Sequence, residues 1–120
     1  EIWQCNAAGR YRHPHDASDE ALDPGFRGFG ATLSDTTGQY KFATIRRVPY
    51  SGRAPHVHFR LSVGESRLLT TQMYFATSDT NQSDTLYQWL DEDARHALTV
   101  RLSGSATSGW QVRFDSTIAT

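Results

Sequence analysis

The feature of this chain that most constrains its fold is a run from His56 to Val63 in which polar and apolar side chains alternate. Successive side chains of a β-strand point to opposite faces, so this period of two predicts a strand with one face in a core. The apolar face would carry the four hydrophobic residues of the run: Val57, Phe59, Leu61 and Val63. The other face would carry His56, His58 and Arg60. Two imidazoles held side by side on a strand can bind a metal ion.

The rest of the chain predicts short strands separated by turns and loops. Leu68 to Phe75 predicts another strand, and Ser34 to Gly38 carries the residue types of a turn. Residues 6–27 have no hydrophobic period and predict a long loop, whereas Asp84 to Ala94 predicts the one helix. Together these segments predict an all-β fold, namely an antiparallel β-sandwich with long loops and one short helix.

Length and composition limit the class of protein. The 120 residues predict a single domain over residues 1–120, and the opening Glu1-Ile2-Trp3-Gln4 is typical of a strand. We therefore expect that N-terminal strands are missing from this chain. A net charge of −1 with mixed signs argues against nucleic acid or a membrane as the main partner. Cys5 is the only cysteine, which excludes an internal disulfide, and the cellular compartment stays open.

Tyrosines narrow the choice of metal. The pair His56 and His58 suits Zn, Cu, Ni or Fe and cannot name the ion. Tyr11 and Tyr50 would add phenolates, which are hard anionic donors that favour Fe(III) over Zn(II). Taken singly, Tyr11 could equally be an exposed loop tyrosine and Tyr50 a packing residue.

Two polar residues near the histidines are candidates for substrate contacts. Arg53 lies three residues before His56 and could place positive charge where an anionic substrate binds. Gln72 lies on the predicted strand 68–75, where its amide could bind a substrate or hold Arg53. The simpler interpretation makes both of them exposed surface side chains.

Four segments occur together in an order that resembles one enzyme family. They are Glu1 to Tyr11, Leu33 to Phe42, Pro49 to Phe59 with its Tyr and His-x-His residues, and Thr71 to Phe75. In this order they are similar to motifs of the intradiol ring-cleavage dioxygenases, particularly the protocatechuate 3,4-dioxygenase branch. The resemblance runs from residue 1 to about residue 79.

The resemblance implies a non-haem ferric enzyme with a β-sandwich core. It implies iron ligation by four residues: Tyr11, Tyr50, His56 and His58. Arg53 and Gln72 would lie beside a catecholic substrate, which O2 would open between its two hydroxylated carbons to give a cis,cis-muconate-type diacid. Tyr50 would leave the iron when the catechol binds and would act as a base. A homo- or hetero-oligomer is compatible with the family.

One departure from the family bears on the substrate. Only Ser51 to Pro55 separate Tyr50 from His56, whereas protocatechuate enzymes carry a longer stretch here with aromatic residues that line the pocket. The shorter segment predicts a more open pocket that accepts catechol and substituted catechols with weak discrimination.

Two other functions remain open from the residues alone. A cupin-like or hydrolytic metalloenzyme would use His56 and His58 with a carboxylate, such as that of Glu65 or Asp79. A non-catalytic sandwich module would instead bind a carbohydrate or a partner through exposed aromatic residues. The candidates for that role are Trp3, Trp89 and Trp110.

Overall fold

A five-stranded sheet forms the centre of the fold in this computed structural model, which describes residues 1–12, 16, 22–45, 52–105, 109–111 and 113–114. In chain order its strands are β1 (Ile2–Trp3), β2 (Phe29–Gly30), β3 (His56–Val63), β4 (Ser66–Phe75) and β5 (Thr99–Val100). In space their order is β2-β1-β3-β4-β5. A separate two-stranded sheet pairs β6 (Ser103–Ser105) with β7 (Gly109–Gln111). The described chain is therefore mostly sheet, as the sequence predicts.

The β3–β4 hairpin is the longest paired unit of the sheet. The alternating run forms β3 with the predicted bounds, and β4 begins two residues earlier than predicted. His58 lies opposite Gln72 on β4 and opposite Trp3 on β1, while His56 lies opposite Tyr74. The pairing therefore surrounds the two histidines with side chains from both neighbouring strands.

The core lies on the apolar face of this sheet. Its buried members come from four strands: Ile2, Val57, Phe59, Met73, Phe75 and Val100. Val63 was expected on this face as a core residue, but its side chain is 70% exposed. Since β1 pairs only with His58 and Phe59 of β3, the far end of the hairpin extends past the packed part of the sheet.

The sheet is mixed, which corrects the prediction of a wholly antiparallel one. β4 and β5 pair in parallel, whereas the other pairs are antiparallel. Parallel neighbours need a crossover connection, because the chain must return to the end at which the first strand began. Here residues 76–98 make that crossover.

The crossover also corrects the prediction of one helix over 84–94. It contains a 3₁₀ helix (Asp79–Ser83) and two α-helices, α1 (Thr85–Gln88) and α2 (Glu92–Leu98). Asp91 separates the two α-helices, because its side chain accepts a hydrogen bond from the backbone N–H of Ala94 and so caps the start of α2. No helix among the described residues is long and apolar enough to cross a membrane.

Candidate metal centre

Three side-chain donor atoms from two parts of the chain converge beside β3. Tyr11 Oη lies 3.2 Å from His56 Nε2 and 3.2 Å from His58 Nε2, and the two Nε2 atoms are 3.2 Å apart. Donors that bind one metal ion at about 2.0–2.1 Å lie roughly 3 Å from one another. Tyr11, His56 and His58 thus form a triangle that fits a single ion.

Neighbouring groups fix the orientation of both imidazoles. His56 Nδ1 lies 2.6 Å from the carbonyl oxygen of Ala54, so this nitrogen carries the proton and donates it. Nε2 of His56 is then the basic nitrogen and turns its lone pair into the triangle. The ring of His58 stacks on that of Trp3, with centroids 4.9 Å apart and parallel planes.

Burial keeps both histidines neutral. It lowers the pKa of His58 to about 4, and the positive charges of Arg53 and of a protonated His56 would lower that pKa further. Burial also lowers the pKa of His56; its bond to Ala54 opposes this effect and the positive charge of Arg53 adds to it. Neutral imidazole is the form that binds a metal ion, so the metal-free site is prepared for one at neutral pH.

Asn6 stabilises the loop that leads to Tyr11. Its buried side-chain oxygen accepts hydrogen bonds from the backbone N–H groups of Ala8 and Arg10, both at 2.9 Å. Gly9 completes the loop with a φ of 80°, a left-handed value that favours glycine. The backbone N–H of Tyr11 then donates to the carboxylate of Asp16 at 2.8 Å. Sequence reasoning missed Asn6, although Asn followed three residues later by Gly is a turn signal.

Arg53 and Gln72 meet in a hydrogen-bonded group beside the histidines. Arg53 Nη2 donates to Gln72 Oε1 at 2.6 Å, and the hydroxyl of Tyr74 donates to the same oxygen at 2.8 Å. With two donors on Oε1, the amide nitrogen of Gln72 is the atom that can donate elsewhere. The structure thus brings together the two polar residues that the sequence singled out.

Asp84 holds Arg53 from the other side, and sequence reasoning gave it no role at the site. Its carboxylate is buried and accepts from Arg53 Nε at 2.8 Å. Burial raises the pKa of Asp84, but the hydrogen bonds from Arg53 and from the backbone of Tyr87 and Ala54 outweigh that effect and lower it. Asp84 is therefore a buried carboxylate paired with a cation.

The sequence analysis named three further candidate ligands: Tyr50, Glu65 and Asp79. Tyr50 falls outside the described residues. Within the described part of the chain, no group of three or more His, Cys, Asp and Glu side chains could hold a metal ion. Neither Glu65 nor Asp79 therefore completes a two-histidine carboxylate site there. The third donor in the structure is the phenol of Tyr11.

Comparisons with known proteins show the family to which this chain belongs. A family model described as Dioxygenase matches residues 1–119. The chain is 41% identical to a protein named protocatechuate 3,4-dioxygenase beta chain from Burkholderia cepacia, over 89% of this chain and 49% of the relative. It is 30% identical to a catechol 1,2-dioxygenase from Candida albicans, over 80% of this chain and 36% of that relative. The chain thus spans half or less of the length of these two relatives.

A solved structure supports the same fold. The dioxygenase domain of a dioxygenase carbohydrate-binding protein fusion from Streptomyces sp. SirexAA-E matches with a TM-score of 0.67 and 26% identity. The match covers 95% of this chain and 62% of that one. The protein described here belongs to the intradiol ring-cleavage dioxygenase family, in its protocatechuate 3,4-dioxygenase-like branch.

Proposed function

We propose that this protein is a non-haem Fe(III) dioxygenase that cleaves catechols with O2 between the two hydroxylated carbons and releases cis,cis-muconate-type diacids. The observation that carries the proposal is the triangle of Tyr11, His56 and His58, with edges of 3.2 Å. A phenolate and two neutral imidazoles suit Fe(III) better than a divalent ion. Membership of the intradiol family and the names of the relatives support the reaction class.

The proposed ligand set is Tyr11, Tyr50, His56 and His58. Bound Fe(III) supplies a Lewis acid at which a deprotonated catechol is held. Tyr50 enters the set through the family resemblance, and its proposed task is to accept a proton from the incoming catechol. The two histidines would bind as neutral imidazoles, and Ala54 and Trp3 fix the orientation of their rings.

Arg53 and Gln72 are proposed to act on the substrate directly. The guanidinium of Arg53 is held by Asp84 and Gln72, so it can stabilise negative charge on the ring without reorganising. Gln72 would donate its amide N–H to a substrate oxygen. Losing one such charge-stabilising donor typically lowers the rate by about 100–1,000-fold, which is the effect expected of Arg53→Ala.

The proposed substrates are catechol and substituted catechols with weak discrimination among them. The short segment 51–55 offers little apolar surface to grip one ring substituent, and even a well-built pocket separates small substituents by only about 1–3 kcal/mol. Specificity constants for catechol, 4-methylcatechol, hydroxyquinol and protocatechuate test this. A preference for protocatechuate by several orders of magnitude would contradict it. Arg10 and Arg12 would then be the first candidates for the group that binds the carboxylate.

We further propose that the five-stranded sheet is one layer of a β-sandwich. Its apolar face carries the core and is covered in part by Tyr40, Phe42 and Phe114. A homo- or hetero-oligomer is the proposed assembly, and sedimentation of the purified protein measures it.

Colour and oxygen uptake together test the function. Tyrosinate bound to Fe(III) gives a red protein, so the iron-loaded protein should absorb visible light and consume O2 with catechol as the muconate-type product forms. Tyr11→Phe should shift or abolish the visible band, as should Tyr50→Phe. Tyr40→Phe is the matched control, since the hydroxyl of Tyr40 donates to the carbonyl of Phe114. A colourless protein with full iron content and no O2 uptake would refute the proposal.

A further inference from the structure

The carboxylate of Asp84 accepts hydrogen bonds from three residues: Arg53, Ala54 and Tyr87. One carboxylate oxygen, Oδ2, accepts from Arg53 Nε and from the backbone N–H of Ala54, both at 2.8 Å. The other oxygen, Oδ1, accepts from the backbone N–H of Tyr87 at 3.0 Å and so caps α1. The side chain of Asp84 is fully buried, so these bonds are made out of contact with water.

Ala54 links Asp84 to the candidate metal centre through a second hydrogen bond. Ala54 is itself 1% exposed, and its carbonyl oxygen accepts a hydrogen bond from the N–H at His56 Nδ1. The residue whose N–H is fixed by Asp84 is thus the residue whose C=O sets the tautomer of His56. Asp84 therefore holds the guanidinium of Arg53 and, through Ala54, the imidazole of His56, a proposed ligand.

Helix capping alone does not account for this arrangement. Asp91 caps α2 in the same way, with its side chain accepting from the backbone N–H of Ala94 at 2.8 Å, but Asp91 is exposed. Nor does Asp84 strengthen the positive charge at the site, because a carboxylate at 2.8 Å partly offsets the charge of Arg53. The role left for Asp84 is to fix the positions of the Arg53 guanidinium and of the Ala54 backbone.

We propose that Asp84 is a positioning residue, which sets the guanidinium of Arg53 and, through Ala54, the tautomer and orientation of His56. The inference rests on the proposed function for its kinetic consequence, but its structural consequence exists in the metal-free protein. An error of about 1 Å in the position of such a group can cost about 100-fold in rate. We therefore expect Asp84→Asn to lower kcat by up to about 100-fold while KM changes much less.

The first test is nuclear magnetic resonance of the metal-free protein. In the wild type, the Arg53 Nε–H signal should be protected from solvent exchange, and His56 should show the tautomer protonated on Nδ1. Asp84→Asn should lose the Arg53 signal and mix the His56 tautomers. Asp91→Asn, which makes the same substitution at the matching cap of α2, should keep both signals. Unchanged Arg53 and His56 signals in Asp84→Asn would overturn the inference whether or not the protein is a dioxygenase.

The second test is a double-mutant cycle with Arg53→Gln. If Asp84 acts mainly through Arg53, Asp84→Asn should lower kcat strongly in the wild type and little in the Arg53→Gln background. If Arg53→Gln has normal turnover, the proposed role of Arg53 fails. If Arg53→Gln is slow but Asp84→Asn is not, the inference about Asp84 fails alone. Asp84→Ser, which keeps a good capping residue and removes the carboxylate, replaces Asp84→Asn should that variant not fold.

Discussion

At the scale of single residues, Asn6 and Asp35 build the same five-residue loop in two places. Each side-chain oxygen accepts from the backbone N–H groups two and four residues later, and each loop has a glycine with φ near 80° at its fourth position. The loop that begins at Asp35 is an exposed turn. The loop that begins at Asn6 lies directly before Tyr11, so the same local chemistry there places a proposed ligand.

The matched loops allow a direct test of this role. Asn6→Ala leaves two backbone N–H groups without their acceptor, so the loop should shift and Tyr11 should leave the triangle. We expect affinity for metal ions to fall by about 10–100-fold, as when partners that orient a ligand are removed. Asp35→Ala disrupts the twin loop and should leave metal affinity unchanged. Calorimetric titration with the metal ion measures both, and equal affinities in Asn6→Ala and the wild type would contradict the expectation.

The low pKa of His58 predicts how stability of the metal-free protein depends on pH. Burial holds this pKa at about 4, whereas the unfolded chain has the ordinary value of 6.5. Between these values the unfolded state binds a proton that the folded state does not, so the free energy of unfolding falls as pH falls from 6.5 towards 4.

Urea unfolding at a series of pH values measures this dependence. His58→Gln should show a shallower fall in stability over the same window, because it lacks the titrating ring. His96→Gln, at an exposed position on α2, serves as the control and should follow the wild type. A slope that is unchanged in His58→Gln would show that other groups cause the loss of stability in acid.

At the scale of elements, the β3–β4 hairpin carries both the core and the metal centre. Val57 and Val63 lie on the same face of β3, yet Val57 is 2% exposed and Val63 is 70% exposed. Val57→Ala should cost about 2 kcal/mol of stability, since it removes two buried methyl groups and leaves a cavity. Val63→Ala should stay within about 0.5 kcal/mol of the wild type. Thermal or urea unfolding compares them, and equal losses would mean that the exposed end of the hairpin is covered in solution.

At the scale of the whole molecule, metal binding should couple the N-terminal loop to the sheet. Tyr11 lies 45 residues before His56 and 47 residues before His58 in the chain, so the triangle exists only in the folded protein. A ligand that binds only the folded state stabilises it by about 2.7 kcal/mol at 100 times its Kd. Removing the metal with a chelator should lower the melting temperature accordingly. His56→Ala should melt at the same temperature with and without the chelator; a difference there would place the stabilising metal elsewhere.

Local sequence determined the elements with strong periodic or turn signals. The alternation in 56–63 predicted the bounds of β3 and the face shared by His56 and His58, because strand geometry depends only on neighbours along the chain. The residue types of Ser34 to Gly38 likewise predicted the turn at Asp35, whose hydrogen bonds join residues close together in the chain. The ordered motifs pointed to the family that the comparisons then showed.

Tertiary structure decided what depends on distant partners. The parallel pairing of β5 depends on the long crossover that precedes it. The exposure of Val63 depends on how far β1 reaches along β3. The link from Asp84 to Arg53 spans 31 residues, and no local pattern marks it. A capping aspartate looks the same in sequence whether it is exposed, as Asp91 is, or buried against a cation, as Asp84 is. Burial is a property of the assembled chain, which is why the sequence alone could not separate these two residues.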